Sequence, residues 1–116
     1  MTSCREAREL ALSLPEAEQR EHFGSPSFRV AGKIFAQLSR QEEETARALV
    51  KLPAADQAAL TVSDPETFSS VPTWGRHGWT YLQLRMVDAS MVHDLLWQSW
   101  RLVAPKVLVA AHTSRE

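Results

Sequence analysis

Residues Ser25–Arg40 read SPSFRVAGKIFAQLSR. Phe28 and Val30 alternate with polar neighbours, and Ile34, Ala36 and Leu38 alternate again beyond Gly32. Two runs of period 2 joined through a glycine predict a β-hairpin, with strands over Ser27–Val30 and Lys33–Ser39. A three-residue loop, Val30-Ala31-Gly32, fits a type I turn closed by Gly32 in the left-handed region. Glycine adopts that backbone state without steric cost. The hairpin opens an antiparallel sheet, and the other segments are placed relative to it.

On the N-terminal side, Ser3-Cys4-Arg5-Glu6 is a capping box, and Ala7, Leu10, Ala11 and Leu14 follow at helical spacing up to Pro15. This predicts an amphipathic helix of about three turns. Glu16–His22 is charged and reads as a short edge strand, because charges on an edge discourage foreign pairing. On the C-terminal side, Gln41–Glu44 is a polar connection. Thr45–Leu52 is a strand with Ala46, Ala48, Val50 and Leu52 on one face. Pro53 suits the first turn of a short helix reaching Leu60, which Ser63-Asp64-Pro65 breaks. Thr67–Thr73 reads as irregular. The Gly-bounded loop Trp74–Trp79 feeds a strand over Thr80–Met86, with Leu82 and Leu84 on one face. Asp88 caps the last long helix, whose stripe is Val92, Leu95, Leu96, Ser99, Leu102 and Val103. Ser99, small within that stripe, lets the helix approach the sheet. Trp97 and Trp100 flank it at the core edge. Pro105 marks a restart, Lys106–Ala111 adds a turn or two, and Thr113–Glu116 frays. Strands in succession followed by a terminal helix give an α+β fold, with helices on one face of an antiparallel sheet.

Composition fits one domain. The chain has 116 residues, 44% hydrophobic and 23% charged. A domain of this size buries roughly two-thirds of its unfolded surface, enough for a core without staples. The net charge of −1 and a pI near 6.4 exclude a global basic excess, so any nucleic-acid contact needs a local patch. A lone cysteine, Cys4, excludes an intrachain disulfide and suits a reducing compartment. There is no membrane-spanning apolar run and no basic start followed by an apolar middle, so a cytoplasmic protein is expected.

Catalytic signatures are missing. His22, His77, His93 and His112 share no ligand spacing, and neither Cys-x-x-Cys nor Gly-x-Ser-x-Gly occurs. Glu16, Glu18, Glu21 and Glu42–Glu44 lack the spacing of a calcium loop and read as solvated charge. Strand alternation is more informative. With Phe28, Val30, Ile34, Ala36 and Leu38 inward, the opposite face carries Arg29, Phe35, Gln37, Arg47, Leu49, Lys51, Tyr81, Gln83 and Arg85. The cations can meet phosphates, and Phe35 and Tyr81 can stack on bases. The same face also fits a solvated surface whose basic stems cover Phe35 and Leu49, or a homodimer or protein interface. In the Trp74–Trp79 loop one or both tryptophans pack inward, and Arg76 and His77 stand at the tip.

Several segments together resemble the MmcQ/YjbR family of small bacterial proteins. They are Gly24-Ser25-Pro26-Ser27-Phe28 through Gly32-Lys33-Ile34-Phe35-Ala36, Leu49-Val50-Lys51-Leu52, Gly78-Trp79, and Ser99-Trp100-Arg101-Leu102-Val103-Ala104-Pro105-Lys106. The family commonly has Tyr where this chain has Trp100. The resemblance spans nearly the whole chain and implies a CyaY-like, frataxin-like fold. It also implies a non-enzymatic, DNA-binding "double wing" protein without a cofactor. The wings would be Val30–Lys33 and Trp74–Trp79, so Lys33, Arg76 and His77 join Arg29, Phe35, Arg47, Lys51, Tyr81 and Arg85 as candidate DNA contacts. By analogy of fold alone, Glu6, Glu9, Glu16, Glu18 and Glu21 would form a frataxin-like acidic ridge for metal.

Overall fold

The computed structural model describes residues 1–22, 24–39 and 46–113, with the side chains of His22 and Thr113 left aside. The expected connection Gln41–Glu44 and the fraying end beyond residue 113 lie outside them. The elements run α1 (Cys4–Leu12), β1 (Glu18–His22), β2 (Ser25–Val30), β3 (Lys33–Leu38), β4 (Arg47–Lys51), α2 (Ala54–Ser63), β5 (Phe68–Ser70), β6 (Trp79–Gln83), α3 (Ala89–Val103) and α4 (Lys106–Thr113). Single 3₁₀ turns cover Trp74–His77 and Leu84–Met86. The six strands form one antiparallel sheet in the order β1-β2-β3-β4-β6-β5. This is the expected α+β fold, with β1 as the expected charged edge.

Local chemistry places the helices on one side. Ser3 Oγ accepts from the Glu6 amide at 3.0 Å, and Glu6 Oε1 accepts from the Ser3 amide at 2.9 Å, closing the capping box of α1. Asp88 accepts from the Met91 amide and starts α3. α1 contributes Ala7 and Ala11, with Leu14 just beyond it, and α3 contributes Val92, Leu95, Leu96 and Trp100. They bury Phe28, Val30, Ala36, Leu38, Ala46, Ala48, Val50 and Leu82 of the sheet's inner face. Trp100, expected at the core edge, is fully buried, and its indole N–H donates to the Pro15 carbonyl at 3.0 Å.

The hairpin departs from the expected geometry in two ways. Its turn has two residues, Ala31 and Gly32, both at positive φ (52° and 81°). That is a type I′ turn, whose twist matches the strands it joins. The register then slips, with Phe28 opposite Ala36 but Arg29 opposite Ile34. Phe35 is the extra residue of a β-bulge. The bulge turns Phe35 into the core and leaves Ile34 half-buried across from Arg29 on the other face. Simple alternation had assigned these two residues the opposite way.

Other boundaries also shift. The segment read as irregular contains β5, paired to β6 through Phe68–Leu82 and Ser70–Thr80. The strand expected to reach Met86 ends at Gln83, and Leu84–Met86 curls into a 3₁₀ turn that takes Arg85 off the sheet. Pro53 is the N-cap of α2 rather than its first helical residue, and the helix runs on to Ser63. Leu102, expected in the apolar stripe of α3, is 46% exposed.

Ser99 does more than allow close approach. Extending the β3–β4 register by one residue puts Phe35 opposite Lys51, but the ladder stops at Ala36 and Val50. The Ser99 hydroxyl fills the gap: it accepts from the Lys51 amide at 2.8 Å and donates to the Phe35 carbonyl at 2.5 Å. Ser99→Ala removes the bridge and leaves two main-chain groups without partners. A loss of about 2 kcal/mol is expected in urea unfolding, with faster hydrogen exchange at the Lys51 amide. Unchanged stability would show that the two groups re-pair directly.

Candidate nucleic-acid interface

The face of the sheet turned away from α1 and α3 is assembled by register. One row crosses all six strands: Arg20, Ser27, Gln37, Leu49, Tyr81 and Ser69. Beside it lie the pairs Arg47–Gln83, Lys51–Trp79 and Glu18–Arg29. β2, β3, β4 and β6 contain no aspartate or glutamate at all. Among the described residues no ion pair engages Arg29, Arg47 or Lys51, and Arg20 pairs with Glu18 at the β1 edge at 3.3 Å.

Arg47 lies over the Tyr81 ring, 3.9 Å from its centroid. Stacking of this kind holds a guanidinium flat on the sheet with its hydrogen-bonding edge free for an acceptor. It also covers one face of Tyr81, so this ring is a platform for Arg47 before it is one for a base. Arg29 reaches along the hairpin to the Gly32 carbonyl at 3.4 Å, and its buried Nε has no acceptor among the described residues. Phe35, expected to stack on bases, is in the core at 0% exposure and cannot touch a ligand on this face. Arg85 is exposed but stands beyond the end of β6.

The two expected wings share one end of the sheet. Lys33 opens β3, Lys51 closes β4 and Trp79 opens β6, so the antiparallel order brings all three together. β3 and β6 are separated by β4 alone, about 10 Å at ordinary strand spacing. At this end Lys33 also lines a cleft of about 700 Å³ with Arg101 and Lys106 of the α3–α4 corner. Arg101 lies on the exposed side of α3 and Lys106 opens α4, so the apolar stripe of α3 marks neither.

The Trp74–Trp79 loop, the second expected wing, stands on a fixed base. Gln57 of α2 has its side-chain nitrogen 3.1 Å from the Gly75 carbonyl, 3.1 Å from the Trp79 carbonyl and 3.0 Å from Thr80 Oγ1. Gly75 is buried with its Cα against Ser70, and Gly78 at φ 96° presses on the Leu52 carbonyl. Arg76 and His77 are exposed, as expected for a tip. Trp79 is half-buried at the base, while Trp74 is 61% exposed.

Among the described residues, no metal centre assembles from the acidic side chains. Glu6 is used in the capping box, Glu9 pairs with Arg5 at 3.5 Å and Glu18 with Arg20. No three histidine, cysteine, aspartate or glutamate side chains converge among the described residues. His93 lies 3.9 Å from Asp94, and His112 meets Trp100 edge-on. Among the described residues no helix is long and apolar enough to cross a membrane.

A family model described as YjbR matches residues 12–102. A crystal structure of a Deinococcus radiodurans protein assigned to the domain family DUF419 is similar, with a TM-score of 0.77 at 18% identity. The match covers 88% of this chain and 78% of that one. A Pseudomonas syringae protein is similar with a TM-score of 0.71 at 13% identity, covering 86% of this chain and 97% of its own. At these identities the likeness is one of fold. No curated protein matches the sequence significantly.

Proposed function

The chain belongs to the YjbR family, and from that premise and the face just described we propose that it is a non-catalytic domain that binds DNA. The observation that carries this reading is the open sheet face, where Arg29 of β2 and, one strand further across, Arg47 and Lys51 of β4 sit on strands free of carboxylates. Lys33 and Arg76 extend the positive surface from the two turns at the Lys51 end. Gln37 and Gln83 add neutral donors and acceptors between the cations. A net charge of −1 then means that binding is local and oriented rather than a general attraction to polyanions. A reducing cytoplasm, where Cys4 stays a thiol, is the compartment this reading implies.

Contacts to phosphates release counterions, so affinity for labelled duplex DNA should fall with salt, with a log–log slope of about −3 for three contacts. Arg47→Glu combined with Lys51→Glu should reduce affinity at low salt by about tenfold or more, since two phosphate contacts become repulsions. Arg85→Glu, off the sheet, should change it much less. Fluorescence anisotropy reads all three. Binding that ignores salt, or survives the double reversal, sinks the proposal.

Half-buried Leu49 at the centre of the face, with Ile34 nearby, supports a second reading, in which the same surface contacts a protein or a second copy of the chain. Sedimentation separates the two: a dimer that Leu49→Lys dissolves, with no affinity for DNA, favours the second.

A further inference from the structure

We propose that the tip carrying Trp74, Arg76 and His77 is a base-stacking element, so that the protein prefers single-stranded DNA to duplex. This rests on the reading of the partner as DNA and specifies which form of it is bound.

Trp74 exposes 61% of its surface on a tip that is held rather than loose. The Trp74 amide donates to the Pro72 carbonyl at 2.7 Å around Thr73, whose φ and ψ are 69° and −51°. That is a γ-turn of the strained kind, in a β-branched residue that avoids positive φ. Strain of this sort persists only where surrounding structure enforces it. Here the enforcement is visible. The Gly75 amide donates to Val71, the Gly78 amide to Gly75, and Gln57 ties the turn to β6. The outcome is a large aromatic side chain presented to solvent from a backbone that is already ordered before any partner arrives. Ordering that need not occur on binding is ordering that does not weaken it.

The surroundings select the partner. Arg76 and His77 are on the same turn, and the His77 ring is 6.5 Å from Trp74 at 50°, which is not a stacked arrangement. Lys51 and Trp79 stand across from each other at the base of the tip. Aromatic faces interleaved with cations suit a chain that alternates bases and phosphates. In a duplex the base faces are covered by their neighbours, and an indole reaches them only by unstacking a step. In a single strand they are open.

The test compares a labelled single-stranded oligothymidine with a mixed-sequence duplex of equal length, by anisotropy at low salt. The wild-type protein should bind the single strand more tightly. Trp74→Ala should weaken single-strand binding about tenfold and duplex binding by less than about twofold, while Trp74→Phe keeps most of the affinity. Circular dichroism confirms the fold, which an exposed side chain leaves intact. Trp74→Ala with unchanged affinity for the single strand, or with equal losses on both DNAs, overturns the stacking role. In that case a loss of about tenfold or more in Arg47→Glu with Lys51→Glu shows that the sheet-face reading survives. If neither DNA binds the wild-type protein, both proposals fail.

Discussion

Gly78→Ala should cost about 4 kcal/mol or more, an exceptional loss for one methyl group. Gly78 has φ 96°, a conformation that L-residues adopt only at a cost. A Cβ there would lie 2.3 Å from the Leu52 carbonyl oxygen. Neither partner can yield cheaply, because Leu52 is backbone at the end of β4, and its amide donates to the Gly78 carbonyl at 2.9 Å. Relief requires breaking that bond and shifting the start of β6. Gly32→Ala is the control: its φ is 81°, but nothing lies within 4 Å of its Cβ position. It should cost only the backbone strain, about 1 kcal/mol. Urea unfolding should separate the two, with a midpoint drop of about 2 M for Gly78→Ala. Equal losses would mean that steric pressure at Leu52 is absent.

Phe35→Ala should destabilise the protein by about 3–5 kcal/mol, as expected for a large side chain removed from a close-packed core. The prediction distinguishes two positions of the same residue. On the solvent face, where plain alternation puts it, the change would be worth about 0.5 kcal/mol or less. At the bulge it is fully buried in the inner cluster with Phe28 and Trp100. Phe35→Leu, which keeps an apolar side chain of somewhat smaller volume, should cost less than about 1.5 kcal/mol and leave DNA affinity unchanged. Loss of DNA binding in a folded Phe35→Leu protein would place the ring back on the outer face.

Much of this architecture was legible because local signals and burial agreed. Ser3 and Glu6 form a capping box in any helix that begins there, and Asp88 caps α3 by the same short-range chemistry. Ala46, Ala48, Val50 and Leu52 alternate with Arg47, Leu49 and Lys51, and all four are buried. The candidate interface was partly legible for the same reason. Arg29, Arg47, Lys51 and Tyr81 alternate with core residues, so fixing the core fixed their face.

What failed was long-range. Ile34-Phe35-Ala36 is an apolar triplet, and its members can face either way unless a partner strand sets the register. Phe68-Ser69-Ser70 has no strand signal of its own and exists as β5 through its bonds to β6. The periodicity of α3 marked Ser99 as facing the sheet, but its two acceptor and donor partners belong to residues 48 and 64 positions away.

Sequence alone therefore determined the helix starts, the alternating strands, the α+β class and the basic composition of one sheet face, because each depends on neighbours within a few residues. Tertiary structure decided the bulge that exchanges Phe35 for Ile34, the departure of Arg85 from the sheet, and the meeting of Lys33, Lys51 and the Trp74 tip at one end. Those depend on strand register and on which main-chain groups find partners across the sheet. Such pairings join residues far apart in the chain, and spacing along it does not encode them.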